Sequence, residues 1–103
     1  IHIRVEIMPE CPGGQDALNR FLVRNIKYPL LAQENGIQGR VVCQFVVNSD
    51  GSIVDISVVR GVEESLDKEA IRVIKSMPKW TPAKHKGKAV RCYFTMPVTF
   101  RTK

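Results

Sequence analysis

The chain has 103 residues, 44% of them apolar and 25% charged, with a formal net charge of +6. That is enough chain for one small core, and the balance is that of a globular domain rather than a disordered tail. No apolar run approaches the ~20 residues of a membrane-spanning helix.

Residues 3–8, IRVEIM, alternate apolar and polar side chains and predict a short strand. The PECPGG stretch from Pro9 to Gly14 cannot continue regular structure and predicts a loop. Ala17, Leu18, Phe21, Leu22, Val23 and Ile26 then recur at three- and four-residue spacing, as on the buried stripe of a helix. Pro29 suits the first turn of a second helix over 29–35, which Asn35-Gly36 ends.

Over 40–48 the period changes to two, with Val41, Cys43, Phe45 and Val47 on one face. Asn48-Ser49-Asp50-Gly51 supplies a tight turn, and the return strand 53–60 should point Val54, Ile56 and Val58 inward. Ser65 is the expected N-cap of a helix over 65–77, whose Leu66, Ala70, Val73, Ile74 and Met77 form one stripe before Pro78. Trp80 is expected to close the core beneath a Pro-rich connector. The last strand, 90–100, alternates Val90, Cys92, Phe94, Met96, Val98 and Phe100 inward against polar partners.

The order β–α–α–β–β–α–β predicts an α+β fold, a small antiparallel sheet with helices packed on one face. Three strands are expected, with 3–8 as a further edge strand. We read residues 1–103 as a single domain, with 1–14 forming the N-terminal strand and loop and 15–101 the core. The 40–48 and 53–60 strands pair as a hairpin, and the helix returns the chain so that 90–100 is antiparallel only beside 40–48. The 40–48 strand is therefore central, and the last strand keeps one ladder free. An open edge is either covered or used, and a peptide can add to it as a further strand.

Chemistry finds little footing. Asp50, Asp55, Glu63, Glu64, Asp67 and Glu69 form no pair spaced for acid–base work, and no nucleophile elbow or phosphate loop is present. Neither catalysis nor a cofactor is expected. Cys11, Cys43 and Cys92 are odd in number and lack metal-ligand spacing, so Cys43 and Cys92 read as apolar fillers with free thiols. If those two face each other directly, their Cβ atoms are a little too far apart for an ideal disulfide. Lys79, Lys84, Lys86, Lys88 and Arg91, with His85, read as a solvated basic loop, without the aromatic residues of a nucleic-acid stacking platform.

Tyr28-Pro29, Gly39-Arg40-Val41, Asp50-Gly51, Leu66-Asp67, Trp80-Thr81-Pro82 and Pro97-Val98-Thr99-Phe100 occur in order across about 70 residues. Any one is weak, but together they resemble the C-terminal domain of TonB-type energy transducers. The resemblance implies a periplasmic domain, anchored to the inner membrane by an upstream segment and coupled there to a proton-driven motor. It implies TonB-dependent outer-membrane transporters as partners, whose TonB box adds as a strand to the last strand of the sheet. Carried across, the contact residues are Asn25, Ile26, Lys27 and Tyr28 with Val90, Arg91, Cys92, Tyr93 and Phe94 at the strand edge. Residues 3–8 are expected to compete for that edge, and a homodimer stays open. Similar domains also end membrane-embedded sensor metallopeptidases, where the domain would sense or bind. A basic nucleic-acid-binding module is the remaining reading, carried by charge alone.

Overall fold

The computed structural model describes residues 5–101. Helix α1 spans Gly14–Asn25 and α2 spans Leu30–Glu34. They are followed by strands β1 (Gly39–Val47) and β2 (Ile53–Arg60), helix α3 (Glu64–Lys75), a short hairpin of β3 (Ala83–His85) and β4 (Lys88–Val90), and strand β5 (Cys92–Phe100). The sheet order is β2-β1-β5, all antiparallel, so β1 is central as its position in the chain required.

Alternation along β1 buries Val41, Cys43, Phe45 and Val47 completely on the face that meets the helices. Leu18 from α1 and Leu66, Ala70, Val73 and Ile74 from α3 fill the other side of that layer. Trp80 closes one end, only 3% exposed, edge-on to Phe45 at 5.4 Å and to Phe94 at 5.0 Å between ring centroids. Each such pair adds about 0.5–1.5 kcal/mol beyond its area burial. The β1–β2 turn docks against the same residue, with Trp80 N–H donating to the Gly51 carbonyl at 2.8 Å. Gly51 has φ 89°, and a Cβ there would lie 2.1 Å from the Trp80 carbonyl oxygen, so only glycine fits this junction.

Several expectations need correction. Val54 does not point inward with Ile56. Asp55 adopts a left-handed φ of 53° at a bulge, the register slips between Gln44 and Val46, and Val54 lands opposite Val46 on the face away from the helices. Val23 is 81% exposed, outside the buried stripe of α1. Ser65 is not the N-cap of α3. Glu63 caps it, its carboxylate accepting from the Ser65 N–H at 3.1 Å and from the Ser65 hydroxyl.

The connector after Trp80 is no plain loop. Lys86 (φ 51°) and Gly87 (φ 76°) make a two-residue left-handed turn that folds 83–90 into the β3–β4 hairpin. Val90 therefore pairs with Ala83 in β4, and the last strand begins at Cys92. The expected 3–8 strand falls partly outside the described residues. Its described part pairs with the connector instead of the last strand, through bridges of Ile7 to Lys84 and Glu10 to Thr81. Four backbone hydrogen bonds of 2.8–3.0 Å hold these bridges, so the segment is a strap on β3 rather than a mimic of an added strand on β5.

Cys43 and Cys92 lie on neighbouring strands but not opposite each other. Cys43 faces Met96 and Cys92 faces Val47, four positions away, a separation of roughly 13 Å at ~3.3 Å per residue. No disulfide can span that. All three cysteines are free and buried. Burial, with the nearby Asp67 charge, pushes the Cys43 thiol up to about 11. Burial and Glu10 raise the Cys11 thiol, and burial raises that of Cys92.

The end of α1 is fastened to α3. Arg72 donates two 2.7 Å bonds to Glu69 and one of 2.9 Å to the Asn25 carbonyl, while Glu69 accepts from the Lys27 N–H at 2.6 Å. Burial alone would push the Glu69 carboxyl up; the bonds from Arg72 and Lys27, with their charges, outweigh it and hold the group below its ordinary value.

Two outcomes follow from this packing. Thiol titration of the denatured, unreduced protein should count three free groups, and native protein near neutral pH should react far more slowly; a count of one would mean a bridge that the register forbids. Arg72→Ala should lower the midpoint of urea unfolding modestly, since solvent screens these partly exposed charge-assisted bonds. Because the folded Glu69 is the stronger acid, its contribution is full above the ordinary carboxylate range and is lost as pH falls. The gap between wild type and Arg72→Ala should therefore narrow in acid.

Candidate peptide-docking edge

Sheet order leaves β5 paired on one side only among the described residues. Its pairing with β1 runs unbroken from Gly39 opposite Phe100 to Val47 opposite Cys92. Pro97, opposite Val42, fixes which amides are spoken for. It has no N–H, so its position must be one whose backbone points away from β1. Backbone groups in a strand alternate sides, so Tyr93, Thr95 and Thr99 also turn their N–H and C=O groups to the open edge. Phe94, Met96 and Val98 then face β1. The edge offers donors at Tyr93, Thr95 and Thr99, and an acceptor without a donor at Pro97.

Beside this edge runs a groove of about 430 Å³, walled by Leu22, Val23 and Ile26 of the α1 side and by residues 94–99 of β5. The spacing of Gln15, Asn19, Leu22 and Ile26 brings one face of α1 along the strand. This explains the exposure of Val23, which forms part of the groove wall rather than the core. The groove is open, and its walls are more apolar than polar, as suits side chains arriving on alternate positions of an extended peptide.

Among the residues named from sequence, the structure brings Ile26 and Phe94 to this groove. Asn25 bonds back to the Phe21 carbonyl at 2.9 Å, and the Lys27 amide is occupied by Glu69. Tyr28 turns inward, its hydroxyl donating to the Ile37 carbonyl and its ring standing edge-on to Phe100 at 5.5 Å. Val90 sits in the hairpin, and Arg91 donates to Asn48 Oδ1 at 2.8 Å at the joint between β4 and β5. Cys92 is buried, and Tyr93 is half-buried opposite Val46. The free ladder of the whole last strand is expected from the sequence, but Thr95–Thr99 and the α1 wall are not among the contact residues named there. Pro97 inside an alternating strand was the available signal for the first; the second depends on how two distant segments dock.

Among the described residues no group of three or more His, Cys, Asp or Glu side chains could hold a metal ion. No described helix is long and apolar enough to cross a membrane.

Comparison with known proteins gives a consistent picture. Residues 24–102 match the family described as Gram-negative bacterial TonB protein C-terminal. Protein TonB of Helicobacter pylori is 43% identical over 51 residues, covering 48% of this chain and 18% of that protein. Protein TonB of Pseudomonas aeruginosa is 42% identical over 53 residues, covering 52% of this chain and 15% of its own length. The chain thus matches less than a fifth of the length of these curated relatives. A solution structure of the H. pylori TonB C-terminal domain superposes with a TM-score of 0.66 at 28% identity, over 89% of this chain and 87% of that one. The P. aeruginosa TonB C-terminal domain gives 0.54 at 30% identity, over 75% and 80%. The α+β architecture is shared with these domains, and this chain belongs to the family of Gram-negative bacterial TonB C-terminal domains.

Proposed function

We propose that this chain is the periplasmic, partner-grasping domain of a TonB-type energy transducer. In this reading it has no enzymatic activity of its own and folds as one domain. A segment upstream anchors it to the inner membrane and links it to a proton-driven motor. Its partners are TonB-dependent outer-membrane transporters, whose TonB box is captured so that pulling is transmitted to the transporter during nutrient uptake.

The observation that carries this reading is the open edge of β5 with the α1 groove beside it. Strand addition draws affinity from backbone bonds, and the edge has outward amides in phase with Pro97. A load along the peptide is shared by several such bonds at once, each worth roughly 0.5–1.5 kcal/mol net. Membership of the family supports the same use.

Replacing Thr95 with proline tests the edge without touching the β1 ladder. Thr95 has the same backbone phase as Pro97, so the strand should tolerate the change and lose one outward donor. In NMR titration with a TonB-box peptide, Thr95→Pro should weaken binding at least about fivefold, because it leaves a peptide carbonyl unpaired, while Thr95→Ala, which keeps the amide, should stay within about threefold. Unchanged affinity in a folded Thr95→Pro variant, or shifts confined to other surfaces, would remove β5 from the binding site.

A further inference from the structure

At the end of the sheet where β5 finishes, three arginines from three adjacent strand ends meet. Arg40 lies opposite Thr99 in the β1–β5 register, Arg60 lies opposite Val42 at the end of β2, and Arg101 follows β5 directly. They rim a shallow depression of about 490 Å³, with Gln38, Thr99 and Phe100 between them. All three are exposed. Among the described residues none of them forms an ion pair. The carboxylates at the start of α3 are turned to other tasks: Glu63 caps Ser65, and Asp67 accepts from the Val62 N–H at 3.0 Å.

Like charges gathered at one end repel, and that repulsion is relieved when an anion settles among them. Guanidinium groups suit phosphate in particular, since their planar fork can offer two parallel N–H bonds to two of its oxygens. Apolar surface flanks the cluster: Val62 is 41% exposed, and its methyls pack directly over Gly39 on the depression's wall. Arginine beside exposed aliphatic groups is the composition of a surface that rests on a bilayer interface, with apolar parts below the phosphate level and cations at it.

The layout adds a direction. The N-terminal strap runs along Thr81–Lys84, at the end of the sheet where β5 begins. The arginines stand at its other end, nine strand residues away, roughly 30 Å. A domain tethered through its N-terminal side would present the arginines foremost to the membrane that it reaches toward; this part of the argument rests on the tether in the function proposed above. We propose that Arg40, Arg60 and Arg101 form a docking surface for an anionic phospholipid bilayer, binding lipid phosphates at the leading end of the domain.

Flotation of the whole domain with phosphatidylglycerol–phosphatidylcholine vesicles tests this, with pure phosphatidylcholine vesicles as reference. Binding should require the anionic lipid and fall as salt rises. Replacing Arg40, Arg60 and Arg101 together by Gln should reduce it at least about tenfold, since each surface cation contributes about fivefold. Replacing Lys84, Lys86 and Lys88 by Gln removes the same charge from the opposite end and should cost less than about threefold. Equal losses in the two variants would mean that net charge alone drives adsorption, and no binding to anionic vesicles would dismiss the surface altogether. Full displacement by inorganic phosphate at the matched phosphate concentration would reassign the cluster to a free anion, and displacement by an acidic peptide alone would reassign it to a protein. TonB-box titration of the arginine variant reports on β5 separately, so either proposal can fail without the other.

Discussion

Everything in this domain is referred to β1, the strand that is hydrogen-bonded on both sides and roofed by helices. Its unbroken nine-residue pairing with β5 decides which side chains of both strands enter the core. Sliding β5 by one residue against β1 would turn Phe94, Met96 and Val98 out of the helix-facing layer while Phe45, Cys43 and Val41 stayed in it. The aromatic junction of Phe45, Phe94 and Trp80 guards against such a slip, because it ties β1 and β5 to a residue from neither strand. Gly51 does the same at the hairpin end, where its bond to Trp80 leaves no room for a side chain.

The groove beside β5 inherits its shape from this frame. One wall is the strand itself, fixed by β1. The other is α1, held at its C-terminal end by Arg72 and Glu69 and along its length by Leu18 in the core. Neither wall needs a peptide in order to form. A preformed site lowers the ordering cost that a binding partner would otherwise bear.

What could be read from the sequence follows from the range of the forces involved. Strands β1 and β5 were legible because burial on one face imposes period two over nine residues, and α3 because its apolar stripe is continuous. Central placement of β1 followed from chain direction together with the preference of short, half-exposed strands for antiparallel pairing. The β3–β4 hairpin was hidden because its strands are three residues long and its turn is Lys86-Gly87, a pair without a strong turn signature. Val54 was misplaced because one left-handed residue, Asp55, reverses the phase of everything before it. The strap at Ile7 and Glu10 was sent to the wrong partner since β-rich character says that a segment pairs, not with what. Of the groove beside β5, Ile26 and Phe94 are among the residues named from the sequence; the α1 wall exists only once two segments some 70 positions apart in the chain are packed together.

The two borders of the sheet are unlike, and this sets a stoichiometry. On β2 the register slips twice, the bulge at Asp55 bends the border, and charged Asp55 and Arg60 stand on it. Such a border is a poor template for a further strand. The border of β5 is regular throughout. A sheet grows without limit only when each unit offers two usable borders, one to receive and one to extend. Among the described residues this domain offers one, so strand addition at β5, the use proposed above, would end after a single event, whether the added strand came from a partner or from a second copy meeting border to border.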